Sequence, residues 1–595
     1  MKPFLITTAL EETWCDDGPV LFLGEWCRLY SRKELWSKMD ADVLPYHWDD
    51  RIKLHTDYKY LQGLYERLLL DLGGQLNKIH NVDHSLRFWR ILIGPWLGYF
   101  TQVLFDRWTS IHQAISLYEL SETIVLTGND DALVPKDMCD FSNLYVEDEW
   151  NHHIYSSILL GFTSMRCTMK MRHNKRGSEY LKTAVTSNSK KNMKRMLLTV
   201  YTRAARILGN DNDVFFLNTY LPTFRDEMKL QLRFGQVPQR WQSVPAAQAA
   251  VDRSQRQWLT PGESHSDFEA CVRALIVQQI PTIYLEGYDR LVNQIADLPW
   301  PKDPKVILTS NSYSTDDTFK AWAAEKVEQG APLVIGQHGG LYGVGRWLFQ
   351  EEHEVSISDR YMSWGWSDLA EPKVKPVGQL QAQQPLGVRH DVQTGVLLVT
   401  CTMPRQSYHM YSAMVSSQWL DYFNDQCAFI QNLPAAIYRS MTVRLYSKDY
   451  GWDQAARWHD RFPDLKLDSG CDDIKDILRK SRLFISTYNA TTFLESFTMN
   501  VPTIIYWNPN HWELRGSAIP FFEDLKRVGI FHETPESAAR HVTVIWDDVD
   551  AWWSSVAVRE VLEVFKECYC RLPEDLLCQV EVVLRDAVEN RVTNG

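Results

Sequence analysis

The most constraining feature is a run of short apolar strands alternating with helical stretches that begins near Lys305 and continues into the last hundred residues. Val306–Leu308, Pro332–Gly336 and Tyr361–Trp364 read as strands, with a helix over Phe319–Gln329 between the first two; Val355–Ile357 reads as another short strand. A polar, Gln-rich stretch, 379–394, reads as a linker. After it Gly395–Thr400 (GVLLVT) is continuously apolar, the pattern of a strand buried on both faces. Val443–Tyr446, Leu483–Ile485 and Thr503–Tyr506 repeat it. Strands that alternate with helices favour a parallel sheet with right-handed crossovers. Two such units on either side of a linker predict an α/β protein whose two Rossmann-like domains face a cleft.

Upstream of this pattern the chain is largely helical. Phe4–Thr7 reads as an opening strand and Thr123–Leu126 as another. Tyr58–Leu72 and Leu76–Trp108 carry apolar residues at three- and four-residue spacing, and Gly94-Pro95 is expected to break or kink the second. The predicted division is an N-terminal unit over 1–380 with large helical insertions, a second unit over 381–555, and a helical tail over 556–595 that packs back across both.

Charge and composition narrow the function. The 595 residues hold 63 Lys+Arg against 75 Asp+Glu, a net charge of −12, which argues against a general nucleic-acid binder. Residues 165–206 depart from that balance, with twelve Lys or Arg and one acid. Such a segment suits a solvated face, an anionic membrane surface or a phosphate-bearing substrate. The most membrane-like run, Phe88–Phe105, is interrupted by Arg90, Gly94 and Pro95, too many breaks for a spanning helix. No signal peptide is read at the start. The 11 cysteines are scattered without metal-type spacing, as expected of reduced thiols in a cytoplasmic protein. The 23 tryptophans suit sugar rings as well as cores.

The sharpest constellation is Ser481–Trp507. A strand ends in a small, hydroxyl-rich turn, Ser486-Thr487-Tyr488-Asn489-Ala490-Thr491-Thr492, and a helix bearing Glu495 follows. A helix start offers free N–H groups and a positive dipole end, so the turn is suited to phosphate, and a carboxylate one turn further on suits a ribose. An ordinary helix cap is the plainer reading. Gln337-His338-Gly339-Gly340 forms a second glycine-rich strand end, where backbone can approach a ligand and His338 can donate a hydrogen bond or accept a proton. Thr402 and Arg405 follow the first strand of the second unit, and Lys448 another strand, positions where a polar side chain suits either a ligand contact or an ordinary surface turn. Glu11, Glu12 and Asp16 follow the opening strand and suit a solvated acidic loop or a general base. His80 and His84, with Asp83 nearby, lack a third metal ligand of suitable spacing and suit a structural or acceptor-binding role. Asp548-Val549-Asp550 superficially matches a metal-binding Asp-x-Asp, but it precedes Ala551-Trp552-Trp553 and reads as a helix cap. No metal is expected.

The order of small turn, Glu495 and Asn500-Val501-Pro502-Thr503 resembles the donor-binding domain of GT-B glycosyltransferases. The segments FLITTALEETW, LFLGEWCRLYSR, FWRILIGPWL, GQHGGLYG, ISTYNATTFLE and YWNPNHWELR are similar to surface-carbohydrate transferases encoded in bacterial O-antigen and capsule loci, over nearly the whole chain. The resemblance implies a GT-B enzyme, cytoplasmic or peripheral at the inner membrane face. It would move a sugar from a nucleotide donor to a glycan or lipid-linked glycan acceptor, with no cofactor beyond that co-substrate. A similar His-Gly loop in GT-B enzymes that handle ulosonic acids or polyol phosphates implies a CMP-activated ulosonic acid. A nucleoside-diphosphate hexose, an epimerase or polyol-phosphate transferase on the same fold, and a non-catalytic carbohydrate-binding protein are the alternatives. The implied site is Glu11, Glu12 or His338 at the reacting centre, Asp16, His80 and His84 towards the acceptor, and the donor around Gly339, Gly340, Thr402, Arg405, Lys448, the 486–492 turn and Glu495.

Overall fold

The computed structural model describes residues 1–15, 17–128, 130–172, 209–258, 260–381 and 394–593. Asp16, most of the basic segment and most of the expected linker therefore lie outside the described residues.

Two parallel sheets dominate. The middle sheet runs, edge to edge, Val374–Pro376, Arg360–Ser363, Leu333–Gly336, Ile307–Thr309 and Phe215–Phe216. The C-terminal sheet runs Lys466–Asp468, Thr442–Arg444, Thr394–Val399, Ser481–Ser486, Thr503–Tyr506 and Phe531–His532. Every described strand pairing is parallel. The central strands are fully buried because helices cover both faces: Leu308, Val334 and Ile335 in one sheet, Leu398, Phe484 and Ile504 in the other, expose none of their surface. The two α/β units meet at the C-terminal ends of their strands, the build of a GT-B fold.

The opening strand does not join either of them. Phe4–Ile6 pairs with Val20–Phe22, and that strand with Ala41–Val43, in a separate small sheet. Alongside it, Thr123–Thr127 pairs with Cys167–Met171, so the start of the basic segment is a strand. Three further expectations are corrected. The helix Leu86–Leu117 runs unbroken through Pro95. Its neighbours bury it from Ile91 to Leu104, and this packing outweighs the one lost N–H donor. Val355–Ile357 is the end of a helix, Phe349–Ile357. The C-terminal helical stretch is two helices, Val556–Tyr569 and Leu576–Thr593. The first packs on the C-terminal unit and the second returns to the middle sheet. Asp548 does cap a helix, accepting from the Ala551 N–H at 2.9 Å.

The long helix Leu86–Leu117 carries a fully buried charge pair. Asp106 and Arg107 are buried, and the carboxylate also accepts from Tyr46 Oη at 2.7 Å and lies 3.1 Å from His47 Nε2. Burial alone would raise the Asp106 carboxyl; Arg107, His47 and Tyr46 outweigh it and hold it below its ordinary value. The stability this provides is present above the unfolded carboxylate value of about 3.9 and is lost as pH falls through the lower folded value. Asp106→Ala leaves a buried guanidinium without its carboxylate and is expected to cost about 3–5 kcal/mol. Urea midpoints at pH 7 measure that cost, and the gap from the parent should narrow in acid.

No helix of the described residues is long and apolar enough to cross a membrane. All eleven cysteines are unpaired.

Candidate active site

Where the two units meet, a cavity of about 370 Å³ opens between the Gly339–Tyr342 loop of the middle sheet and the 401–404 and 488–491 segments of the C-terminal sheet. This is the position at which open parallel sheets present strand ends and helix starts to a ligand. The two sides touch: Gly340 N–H donates to Thr491 Oγ1 at 3.2 Å. A Cβ on Gly340 would stand 2.6 Å from the Ala490 carbonyl carbon and oxygen, so only glycine permits this approach.

The cavity wall contains unpaired buried polar atoms. Asn489 is 1% exposed and neither its Oδ1 nor its Nδ2 has a partner; Thr402 Oγ1 is likewise buried without one. The adjacent helix Thr491–Thr498 starts at Ala490 with no side-chain cap, which leaves its first N–H groups to the cavity. Leaving such groups unpaired costs free energy, and a bound polar ligand would recover it. Six further tyrosines line the cavity, Tyr99, Tyr145, Tyr408, Tyr411, Tyr446 and Tyr450. No Asp, Glu, Lys or Arg is among the described lining residues, and His409 is their one imidazole.

His409 is carried in by the irregular connection that follows the strand Thr394–Val399. This connection is fastened to the N-terminal half: Met410 N–H donates to Gln102 Oε1 at 2.7 Å, and Tyr411 forms an antiparallel bridge with Leu348. The imidazole stacks on Tyr99 with centroids 5.2 Å apart and lies against Tyr408 and Tyr411. Burial pushes it down to about 3, so it is neutral at physiological pH.

The sequence-derived residues divide. Gly339, Gly340, Thr402, Tyr488, Asn489 and Thr491 line the cavity. The remaining hydroxyls of the turn are spent on the fold: Ser486 Oγ donates to the Tyr488 carbonyl, Thr487 Oγ1 to the Val399 carbonyl, and Thr492 pairs with Tyr488 Oη. Glu495 is turned towards Lys475, 3.7 Å away, and does not line the cavity. Arg405 is a strap rather than a free donor, bonded to Asp148 Oδ2 at 2.6 Å and to the carbonyls of Trp26 and Tyr450. Lys448 is exposed, with its ammonium 4.6 Å from the centre of the Tyr450 ring.

The acceptor-side residues lie elsewhere. Glu11 is exposed and ion-paired with Arg32; Glu12 is exposed, and its carbonyl accepts from Lys170. Neither lines the cavity, because the strand they follow belongs to the separate small sheet. His80 stacks on Tyr288, and its Nε2 pairs with the Tyr284 carbonyl; His84 joins Glu328 and Tyr288 Oη. Both fasten the long helices to the helices around Tyr288 and Glu328. Among the described residues no group of three His, Cys, Asp or Glu is placed to hold a metal ion.

His338 stands just behind the glycine loop. Its Nε2 is 3.3 Å from Tyr342 Oη, and its Nδ1 is 3.7 Å from Glu354 Oε1. Burial drives the imidazole down to about 4 and the Glu354 carboxyl up to about 8. Tyr313 and Tyr342 both donate to Glu354 Oε1, the latter at 2.6 Å. The strand expected over 355–357 hid this network, since Glu354 reaches the loop only from a helix. A carboxyl raised in the folded state favours folding at low pH and loses that contribution as pH rises from about 4.5 towards 8. Glu354→Gln, which stays neutral, should flatten the fall of Tm across that interval, as thermal scans in matched buffers will show.

Several solved structures resemble the chain at low identity, three of which follow. The wall teichoic acid polymerase TagF aligns with 68% of this chain and 100% of its own at 10% identity, TM-score 0.32. HepE of Anabaena, in complex with UDP-glucose, aligns with 55% and 89% at 10% identity, TM-score 0.31. MurG of Acinetobacter baumannii aligns with 63% and 99% at 11% identity, TM-score 0.31. No curated protein matches. A family model described as "LIC12162 family transferase" matches residues 3–581, and the chain belongs to that transferase family.

Proposed function

We propose that this transferase moves a glycosyl group from a nucleotide-activated sugar, held in the 370 Å³ cavity, to a glycan hydroxyl. The observation that carries the reading is the convergence on one cavity of an uncapped helix start with the unpaired Asn489 amide and Thr402 hydroxyl. Those groups are donors of the kind a phosphate requires, and the tyrosine-rich wall offers flat faces to a base or a sugar ring.

In the reaction the bond from the anomeric carbon to the phosphate oxygen breaks, and its electron pair leaves on the phosphate. The acceptor oxygen forms the new bond, and its proton passes to the imidazole of His409, whose basicity the negative charge of the bound phosphate raises. The helix-start amides hold the growing negative charge without rearranging.

The finer assignment is a CMP-activated ulosonic acid as donor and a bacterial surface glycan, O-antigen or capsule, as acceptor. It is supported by the resemblance in sequence. Docking on an anionic membrane face belongs to the same proposal, through the basic residues 165–206.

Calorimetry with CMP, UDP, GDP and dTDP tests the donor site. Asn489→Ala is expected to weaken the nucleotide that binds by about tenfold to a hundredfold, the worth of a hydrogen bond to a charged group. Tight UDP or GDP with no CMP binding would replace the ulosonate donor by a hexose. Unchanged affinity in Asn489→Ala would move the donor out of this cavity.

A further inference from the structure

The same edge of the middle sheet opens into a second, polar cavity of about 620 Å³, beyond the strands Phe215–Phe216 and Ile307–Thr309. Tyr220, Phe224, Glu227, Arg240, Trp241 and Asn311 are among its lining residues. The loop that forms its floor is strained. Asn218 has φ 50° and Tyr220 φ 60°, and a tyrosine in the left-handed region is an uncommon and costly conformation.

That conformation is held from several sides. Ser310 N–H donates to the Asn218 carbonyl and Ser310 Oγ to the Thr219 carbonyl, both at 2.9 Å. Asn218 Nδ2 donates to Ser312 Oγ at 2.8 Å and Asn311 Nδ2 to Tyr220 Oη at 3.1 Å. The strain places the Tyr220 ring 5.9 Å from the His338 ring, between the two cavities. The short helix Ser312–Thr315 also links them, since it starts beside Asn311 and its Ser314 and Thr315 line the first cavity. Four helical residues span about 6 Å, roughly one sugar ring.

We infer that this second cavity binds a saccharide unit of the acceptor, next to the unit that carries the reacting hydroxyl. A pyranose presents a C–H face and an edge of vicinal hydroxyls, each both donor and acceptor. Phe224 and Trp241 offer aromatic surface to the face. Glu227 accepts from hydroxyl pairs and the planar Arg240 fork donates to them. Arg240 lies over the Phe224 ring at 5.1 Å, and Glu227 is held by Thr219 Oγ1 at 2.6 Å, so both groups have fixed supports. A carboxylate beside the one cation among the described lining residues makes the cavity a poor host for a polyphosphate, which separates it from the donor site.

The word acceptor rests on the glycosyltransferase reading; the sugar site itself is tested without it. Saturation-transfer NMR on the full chain, with no nucleotide present, uses methyl glycosides of glucose, galactose, rhamnose and N-acetylglucosamine, together with lactose and maltose. At least one should bind, and Arg240→Ala and Glu227→Gln should each weaken it tenfold or more while CMP or UDP affinity stays within threefold of the parent. Circular dichroism of each variant establishes that it is folded. No binding across the panel, or equal binding in Glu227→Gln, overturns the inference even if nucleotide binds in the first cavity. Sugar binding lost in these variants upholds it even where no nucleotide binds, and the donor reading then fails on its own.

Discussion

His409→Asn is expected to lower turnover by about a hundredfold to ten-thousandfold, the range of a general base, while nucleotide affinity changes by less than threefold. Asparagine keeps a polar planar group of similar size but has no lone pair of imidazole basicity. The rings of Tyr99, Tyr408 and Tyr411 surround His409, and burial alone depresses it. The free enzyme therefore holds this imidazole neutral down to about pH 3. The parent's kcat/KM should accordingly lack the fall near pH 6.5 that an exposed histidine would impose. Single-turnover rates separate chemistry from binding: a variant with normal rates and normal affinity removes His409 from the reaction.

Gly340→Val is expected to reduce kcat/KM by at least about a hundredfold. The added Cβ meets main-chain atoms of Ala490 at 2.6 Å and the Thr491 nitrogen at 2.8 Å, and backbone cannot swing aside as a flexible side chain would. The glycine loop must withdraw from the helix start, which takes the Gly340 N–H away from Thr491. A displacement of about 1 Å at a reacting centre is enough for a loss of this size. Neighbouring Gly339 would meet only the Tyr342 ring, at 2.9 Å, so Gly339→Ala is the milder control. Steady-state kinetics on both variants, with circular dichroism to establish folding, decide the matter; equal activity in the two would mean that the close approach at Gly340 is dispensable.

Strand alternation after residue 305 was legible because a central parallel strand is buried on both faces and must be apolar throughout. GVLLVT, RLFIS and PTIIY announce themselves in that way, and the structure places them side by side. The hydroxyl turn and the Gln337–Gly340 loop were legible for a related reason. Small residues at a strand end leave room for backbone to meet a ligand, and the two segments do meet across the cavity. Edge strands of two or three residues, such as Phe215–Phe216 and Phe531–His532, carry too little pattern to be read.

Which side chains face the cavity was decided only by the tertiary structure. Arg405 and Glu495 have the chemistry of ligand contacts, yet long-range partners, Asp148 and Lys475, claim them. Glu11 and Glu12 follow a strand as expected, but that strand joins a different sheet. His409 went unnoticed because the connection that carries it has neither helical nor strand periodicity; Gln102 and Leu348, some 307 and 61 positions earlier in the chain, hold it in place. Local apolar periodicity determines which segments become strands and helices, since burial acts on each residue where it stands. The site is made by contacts between residues hundreds of positions apart, which no local pattern encodes.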